Sequence, residues 1–289
     1  MNEQHTYLQQ ITNAGYISET TANTMHAQVD QLGYALNDIS GNIGLNCNQA
    51  GWGLTPVIGV DWKINEHWNL AAKFEFKTKI RLHNESYNDN TEGQGLDKYD
   101  DNKKVAEDIP SILTVGAQYS PIQSVRINGG FHYYWDKQAT KYGNENKLLN
   151  GGTWEITAGA EWDFKKGWTV SAGWQTTNYP NTDEYMRDIS FVTNSNSFGF
   201  GLKWQINPMV AVEAAYFQTV YNTYERTQAD YNGLGAKAMT ALGQTLPAGV
   251  TAPQALAAAG LIPNAEFLSG KDLFDRTNRV IGVGVTLDF

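Results

Sequence analysis

From His67 to Leu82 apolar and polar residues alternate with little interruption. The even positions are Trp68, Leu70, Ala72, Phe74, Phe76, Thr78, Ile80 and Leu82. The odd ones are His67, Asn69, Ala71, Lys73, Glu75, Lys77, Lys79 and Arg81. A period of two belongs to a strand with one apolar and one polar face. At about 3.4 Å per residue the run predicts a strand of roughly 50 Å, long beside the strands of ordinary globular sheets. The same alternation recurs over 55–64, 110–120, 123–137, 153–164, 168–179, 190–206, 209–224 and 278–289. Nine strands are predicted.

The connections alternate too. Residues 64–67, 120–123, 164–167 and 206–208 are tight turns, whereas 83–109, 138–152, 180–189 and 225–277 are long. Short turns on one side and long loops on the other describe an antiparallel meander, the arrangement of a transmembrane β-barrel. A soluble β-sandwich would also alternate, with its apolar face inward. The tryptophans favour the membrane. Trp62, Trp68, Trp162, Trp168 and Trp204 lie on the apolar face and flank short turns; Trp135, Trp154 and Trp174 lie on that face towards the long loops. Two aromatic girdles mark the two membrane interfaces. From Trp154 to Trp162 a tilted strand climbs about 20 Å, near the height of an apolar bilayer band. The other face carries Lys73, Glu75, Lys77, Arg126, Glu155, Glu161, Lys203 and Glu213. A Lys or Arg facing lipid at midplane costs about 2–4 kcal/mol, so this face is expected to line a lumen.

Composition sharpens that picture. The 289 residues include 21 Lys+Arg, 30 Asp+Glu and a single cysteine, for a net charge of −9. An acidic chain without a basic block argues against nucleic acid as a partner. Cys47 alone excludes a disulfide framework. No run of about 18 apolar residues predicts a membrane helix. A mean hydropathy of −0.45 does not argue against a barrel, whose strands are only half apolar.

The run TPVIGVDWKINEHWNLAAKFEFKTKIRL (55–82) resembles the outer-membrane fatty-acid transporter family typified by FadL, which also includes aromatic-hydrocarbon channels. DIPSILTVGAQYSPIQSVRINGGFHYYWDK and TWEITAGAEWDFKKGWTVSAGWQTTNYPNTDEYM are similar in the same way, in the style of versions from Bacteroidetes. The resemblance covers roughly 50–225 and 278–289. It implies passive, ligand-gated diffusion of hydrophobic small molecules, above all long-chain fatty acids, through a fourteen-stranded barrel plugged by an N-terminal hatch. It implies no enzymatic step and no cofactor. The terminal Phe289 looks like the signal read by barrel-assembly machinery in Gram-negative bacteria. Outer-membrane lipid is then a further partner, with the long loops extracellular and the C-terminus periplasmic. This sequence has nine clear strands, no hatch and no signal peptide. Strands one and nine run the same way, so a C-terminal portion of a longer transporter is the expectation. Residues 1–50 then read as a loop or helical extracellular segment, or a remnant of preceding strands; a short tenth strand near Tyr34–Leu45 is weakly patterned. Residues 51–289 read as the barrel portion.

The fold class expected is therefore all-β: an antiparallel meander transmembrane β-barrel, incomplete relative to fourteen strands, with small helical segments in the long loops. Lys73, Lys77, Arg126 and His132 face the lumen by parity and are the candidates for holding a ligand carboxylate, which is costly to desolvate unpaired. Pairing with Glu75, Glu155 and Glu161 as barrel filling is the alternative. Gly199, Gly201, Gly282 and Gly284 fall on the lumenal face by parity, where missing side chains would leave room for a ligand or a plug; close packing of the strands is the alternative. The five histidines show no paired metal-ligand spacing, and no GxSxG signals a nucleophile. A calcium site among Asp97, Asp100 and Asp101 competes with a solvated loop. Ala22, Met25, Val29, Leu32 and Leu36 fall at helical spacing, and 234–262 is Ala/Leu-rich with Pro253 placed to begin a helix. Such helices could gather lipophilic molecules in the 225–277 loop, or pack on themselves as a lid. A non-transporting surface protein, an adhesin or structural barrel whose loops bind a partner, is the alternative function.

Overall fold

The computed structural model describes residues 2–39, 44–89, 96–186 and 191–287. Phe289 lies outside them. The strands are β1 (Gly44–Ala50), β2 (Val57–Lys63), β3 (Trp68–Glu75), β4 (Arg81–Asp89), β5 (Lys104–Ala106), β6 (Ile112–Ile122), β7 (Val125–Tyr134), β8 (Trp154–Lys165), β9 (Trp168–Asn178), β10 (Ser195–Asn207), β11 (Val210–Tyr221), β12 (Tyr224–Gln228), β13 (Gly270–Phe274) and β14 (Thr277–Leu287). The helices are α1 (Asn2–Asn13), α2 (Glu19–Ile39), α3 (Leu234–Ala241) and α4 (Ala252–Ala258). Two compact units emerge: one from Met1–Leu45, Asn88–Asp97 and Glu225–Leu273, the other from the remainder.

The larger unit is built on a nine-stranded sheet in the order β14-β11-β10-β9-β8-β7-β6-β3-β2. Each neighbouring pair is antiparallel. The meander and its nine strands follow the alternation of the sequence, and the edge strands β2 and β14 run in the same direction. Short turns join β2 to β3, β6 to β7, β8 to β9 and β10 to β11; the other connections are long.

Two expectations need correction. The run 67–82 is not one strand. β3 stops at Glu75, and the alternation resumes in β4, which pairs with β1 and β5 in a separate three-stranded sheet. The regular ladder lapses there although the register continues. Phe76 donates its N–H to the Pro56 carbonyl at 3.0 Å, and Thr78 exchanges backbone bonds with Ile109 at 3.0 and 3.1 Å, extending the pairings Val57↔Glu75 and Glu75↔Ile112. Pro110, opposite Lys77 in that register, has no N–H to give. The tenth strand near Tyr34–Leu45 is also displaced: α2 runs through Ile39 and the strand occupies Gly44–Ala50.

In the smaller unit α1, α2, α3 and α4 share one apolar core. Leu8, Val29, Ala238, Met239, Ala252, Leu256, Leu261, Ile262 and Leu268 are all buried there. Thr251 caps α4 through a reciprocal pair with Gln254, and Pro253 sits in the first turn, where its missing N–H leaves no gap. Arg226 of β12 reaches Asp272 of β13 at 2.6 Å, both nearly covered, which clasps the base of this excursion. The residues of this core pack on one another, while Leu246, Val250 and Phe267 stay exposed.

Candidate functional site

The two faces of the sheet differ in a way that fixes their roles. Along β8, Ile156, Ala158, Ala160, Trp162 and Phe164 are exposed, while Glu155, Thr157, Gly159, Glu161 and Asp163 are partly covered. β10 repeats this with Phe198, Phe200, Leu202, Trp204 and Ile206. On β14 Ile281 and Val283 stand 80% and 76% exposed. A soluble sandwich buries such rows. Here the apolar side looks out and the polar side looks in, as barrel walls in lipid do.

Register brings the aromatic residues together at the turn end. Trp168 pairs with Trp204 in register and their rings stack at 5.1 Å. Trp162, Phe164 and Trp168 follow one another at 5.9 and 6.5 Å. Trp68 lies 4.6 Å from Tyr119, and Trp62 is exposed at the end of β2. At the long-loop end Trp135 meets Phe74 and Tyr133, and Trp154 stands opposite Tyr133. Trp174 is level with Ala158 and Phe198, deeper than Trp154.

One tryptophan escaped the sequence reading. Trp52 and Leu54 share the parity of Ile58, Val60 and Trp62 and are 81% and 80% exposed. They precede β2 and lack a regular alternating context, although a parity count from Trp62 would have found them. Their segment is seated closely. A Cβ on Gly51 would lie 2.8 Å from the Arg81 carbonyl oxygen, and one on Gly53 would lie 2.5 Å from the Thr78 side chain.

The inward face holds a network of ion pairs. Arg126 reaches Glu161 and grips Asp163 with two bonds of 2.8 Å. Thr169 adds a hydroxyl bond to Asp163 at 2.6 Å. Glu155 is saturated: Oε2 meets His132 Nδ1 at 2.9 Å and accepts from Tyr134 at 3.0 Å, while Oε1 accepts from Gln175 and Thr177 at 2.9 Å. Lys73 pairs with Glu75 at 2.7 Å, and Lys203 with Glu213 at 3.2 Å. Lys77 belongs to a different cluster, beyond the end of β3. It contacts Asp108 at 2.9 Å and donates to the Gln138 carbonyl at 2.7 Å. Arg81 and the Ile80 N–H complete the shell of Asp108 at 2.8 and 3.1 Å. Burial alone would raise the Asp108 carboxyl, but bonds from Lys77 and Arg81 outweigh it and hold the pKa at about 2. The four nominated cations therefore do not converge; each is met by carboxylate.

Of the four nominated glycines, Gly199 and Gly201 line one hollow, of about 390 Å³, together with Gly159, Gly173, Asn128 and Phe217. Gly199 is level with Gly173 and Gly159 across β9 and β8, and Gly201 with Ala215 and Gly282 across β11 and β14; Gly282 and Gly284 are not part of its lining. Added Cβ atoms would meet nothing within 4 Å at Gly282 and Gly284, but would crowd the Ser171 hydroxyl at Gly201. Phe217, 39% exposed and inward by parity, is the large apolar group beside this row. A phenylalanine between the small or polar inward positions Ala215 and Thr219 was the signal for it. A larger hollow, about 580 Å³, lies over Ala72, Ala117 and Gly129 between Trp62 and Phe131. It is on the outward face, where acyl chains rather than a transported molecule would fill it.

Among the described residues no group of three or more His, Cys, Asp or Glu is arranged to hold a metal ion. Asp101 instead accepts from the Ser86 N–H and from Asn102, and Asp100 pairs with Lys103.

No family model and no curated protein matches the sequence. Solved structures do. A Pseudomonas aeruginosa FadL homologue superposes with a TM-score of 0.53 at 14% identity, over 81% of this chain and 52% of that one. The meander has the FadL-type fold. The P. putida toluene transporter TodX gives a TM-score of 0.43 at 11% identity, over 73% of this chain and 56% of that one. The CymD monoaromatic hydrocarbon channel gives 0.41 at 11% identity, over 60% and 47%. The fold assignment rests on the FadL homologue, of whose length this chain spans about half. In this sheet the ion-paired, glycine-bearing face and the exposed, tryptophan-edged face lie on opposite sides.

Proposed function

We propose that the chain forms wall of an outer-membrane channel through which hydrophobic small molecules diffuse passively, without chemistry and without a cofactor. The observation that carries this is the inversion of the sheet: apolar rows such as Ile156–Phe164 exposed, ion pairs on the opposite side. The FadL-type fold supports it. The substrate class reads as fatty acids or aromatic hydrocarbons. The hollow beside Phe217 is the proposed contact, with Gly199, Gly201, Gly282 and Gly284 keeping the wall thin around it. Among the four cations, Lys73 is best placed to exchange its partner for a ligand carboxylate, since its side chain is 49% exposed and, among the described residues, paired with Glu75. Arg126, His132 and Lys77 serve as ion-paired lining. The aromatic rows sit at the two lipid interfaces, the short turns and Phe289 on the periplasmic side, where Phe289 addresses the assembly machinery. In the 225–277 loop the exposed, uncharged stretch 243–251, with Leu246 and Val250, is the proposed first contact for lipophilic molecules.

The test is uptake. A Gram-negative host lacking its own long-chain fatty-acid transporter is given this chain and exposed separately to labelled oleate and labelled toluene. Uptake several-fold above empty vector is expected for at least one. Correct insertion in the outer membrane with neither taken up would sink the proposal and favour a surface protein that binds through its loops.

A further inference from the structure

Two lysines at the turn between β8 and β9 stand outside the ion-pair network. Lys165 ends β8 opposite Trp168, past a register shift after Trp162, and Lys166 follows at the tip; both are exposed, and both line the hollow beside the turn. Among the described residues neither makes an ion pair. The turn itself is held firmly. Gly167 takes φ +79°, and a Cβ there would lie 2.8 Å from the Gln205 carbonyl oxygen. Its own carbonyl accepts the Gln205 N–H at 2.7 Å. Beside it is a hollow of about 350 Å³ lined by Asp163, Lys165, Lys166, Thr169, Lys203 and Gln205.

The other polar groups of this hollow are satisfied. Asp163 is taken by Arg126 and Thr169, and Lys203 by Glu213. The Gln205 amide donates to the Asn207 carbonyl at 2.8 Å. Two ammonium groups on a fixed turn are left facing a cavity that needs no further donors for itself. We propose that this short-turn end of the inner wall receives the carboxylate head of an amphiphile occupying the lumen. The inner wall is polar and its deeper cations are met by carboxylates, so a carboxylate head gains most from ammonium groups not already engaged. Two compact ammonium charges at the short-turn end offer this without demanding a fixed geometry. The inference rests on the channel reading and deepens it: charge is recognised at the short-turn mouth, where the cations are unengaged.

The 289-residue chain in zwitterionic nanodiscs tests this by tryptophan emission, since Trp168 also borders the hollow. Dodecanoate and dodecanol share a tail and differ in the head. Dodecanoate is expected to bind about tenfold more tightly than dodecanol, in line with a charge-assisted contact, and the gap is expected to shrink with salt. The double variant Lys165→Gln, Lys166→Gln should remove the preference, and Lys→Arg at both positions should restore it. An unchanged preference in the Gln variant, or none in the wild type, overturns the site. So does lysine-dependent binding of short-chain phosphatidylglycerol without binding of dodecanoate, which would mark a lipid-headgroup anchor. Dodecanoate bound without dodecanol keeps the site while counting against a channel for neutral hydrocarbons.

Discussion

Asp108 is almost wholly covered, its side chain 1% exposed, yet it is held ionised by Lys77, Arg81 and the Ile80 N–H. Its pKa lies at about 2, below the ordinary 3.8. A depressed carboxyl contributes stability that is fully present above its unfolded value and is lost as pH falls through the folded one. The tie between 76–81 and Asp108 should therefore hold at pH 5 and loosen between pH 4 and 2. Hydrogen exchange at Ile80 and Ile109 should rise over that window, and Asp108→Asn should raise it already at pH 7 and flatten the pH response. A flat wild-type profile would contradict the assignment. Arg126 poses the matching question on the inward face. Removing it strands Glu161 and Asp163 beside each other, and because all three are partly exposed the loss is discounted to about 1–2 kcal/mol. Arg126→Met should lower the unfolding free energy from denaturant titration by that much, and the triple change with Glu161→Gln and Asp163→Asn should recover part of it. Parity alone placed these side chains on the inner face. Which carboxylate each cation would take was not legible, because Lys77 and Arg81 find Asp108 only after the chain has left the sheet.

At the scale of elements, the meander could be read because period two survives in every strand and each turn interrupts it visibly. The end of β3 could not. Phe76 and Thr78 keep both the apolar row and the register, bonding to Pro56 and Ile109, and Ile80 accepts the Glu107 N–H, so the lapse of the ladder beside Pro110 leaves no mark on the alternation. Gly51 and Gly53 let the chain before β2 press against 78–82. A side chain at Gly53 would collide with the Thr78 methyl and the Lys79 carbonyl. Gly53→Val should destabilise by about 1–3 kcal/mol through overpacking. The cost should appear as faster exchange at 78–82, with β8 and β9 unaffected. Were β8 and β9 loosened equally, the contact would not be local. In the helical unit, the spacing of Ala22, Met25 and Val29 and the position of Pro253 foretold helices. What they could not foretell was a shared core across more than 200 residues of chain, in which Leu8 and Val29 join Leu256 and Leu268.

For the molecule as a whole, the exposed apolar face has meaning only if lipid covers it, and neighbouring residues of one strand allow a direct trial. Ala158 and Thr157 are adjacent in β8 but point to opposite sides: Ala158 lies outward between Gly129 and Trp174 in register, Thr157 inward beside Gly130 and Gln175. Both are near mid-height between Trp154 and Trp162. An arginine facing the bilayer midplane costs about 2–4 kcal/mol, whereas one on the lumen side keeps access to water and to carboxylates such as Glu155 and Glu161. Ala158→Arg should thus lower stability in lipid by about that amount, and Thr157→Arg by under about 1 kcal/mol, read from urea titrations of the chain in bilayers. A soluble sandwich with its apolar face buried would also penalise Ala158→Arg, so the pair is repeated in tryptophan quenching by lipids brominated along their acyl chains. The girdle residues Trp62, Trp68, Trp162 and Trp204, exposed or nearly so, should be quenched more strongly by bromines near the headgroup than by bromines near the tail end. Depth-independent quenching, or equal penalties for the two arginines, would mean that the outward face meets protein rather than lipid, and the inner wall would lose its claim to be a lumen.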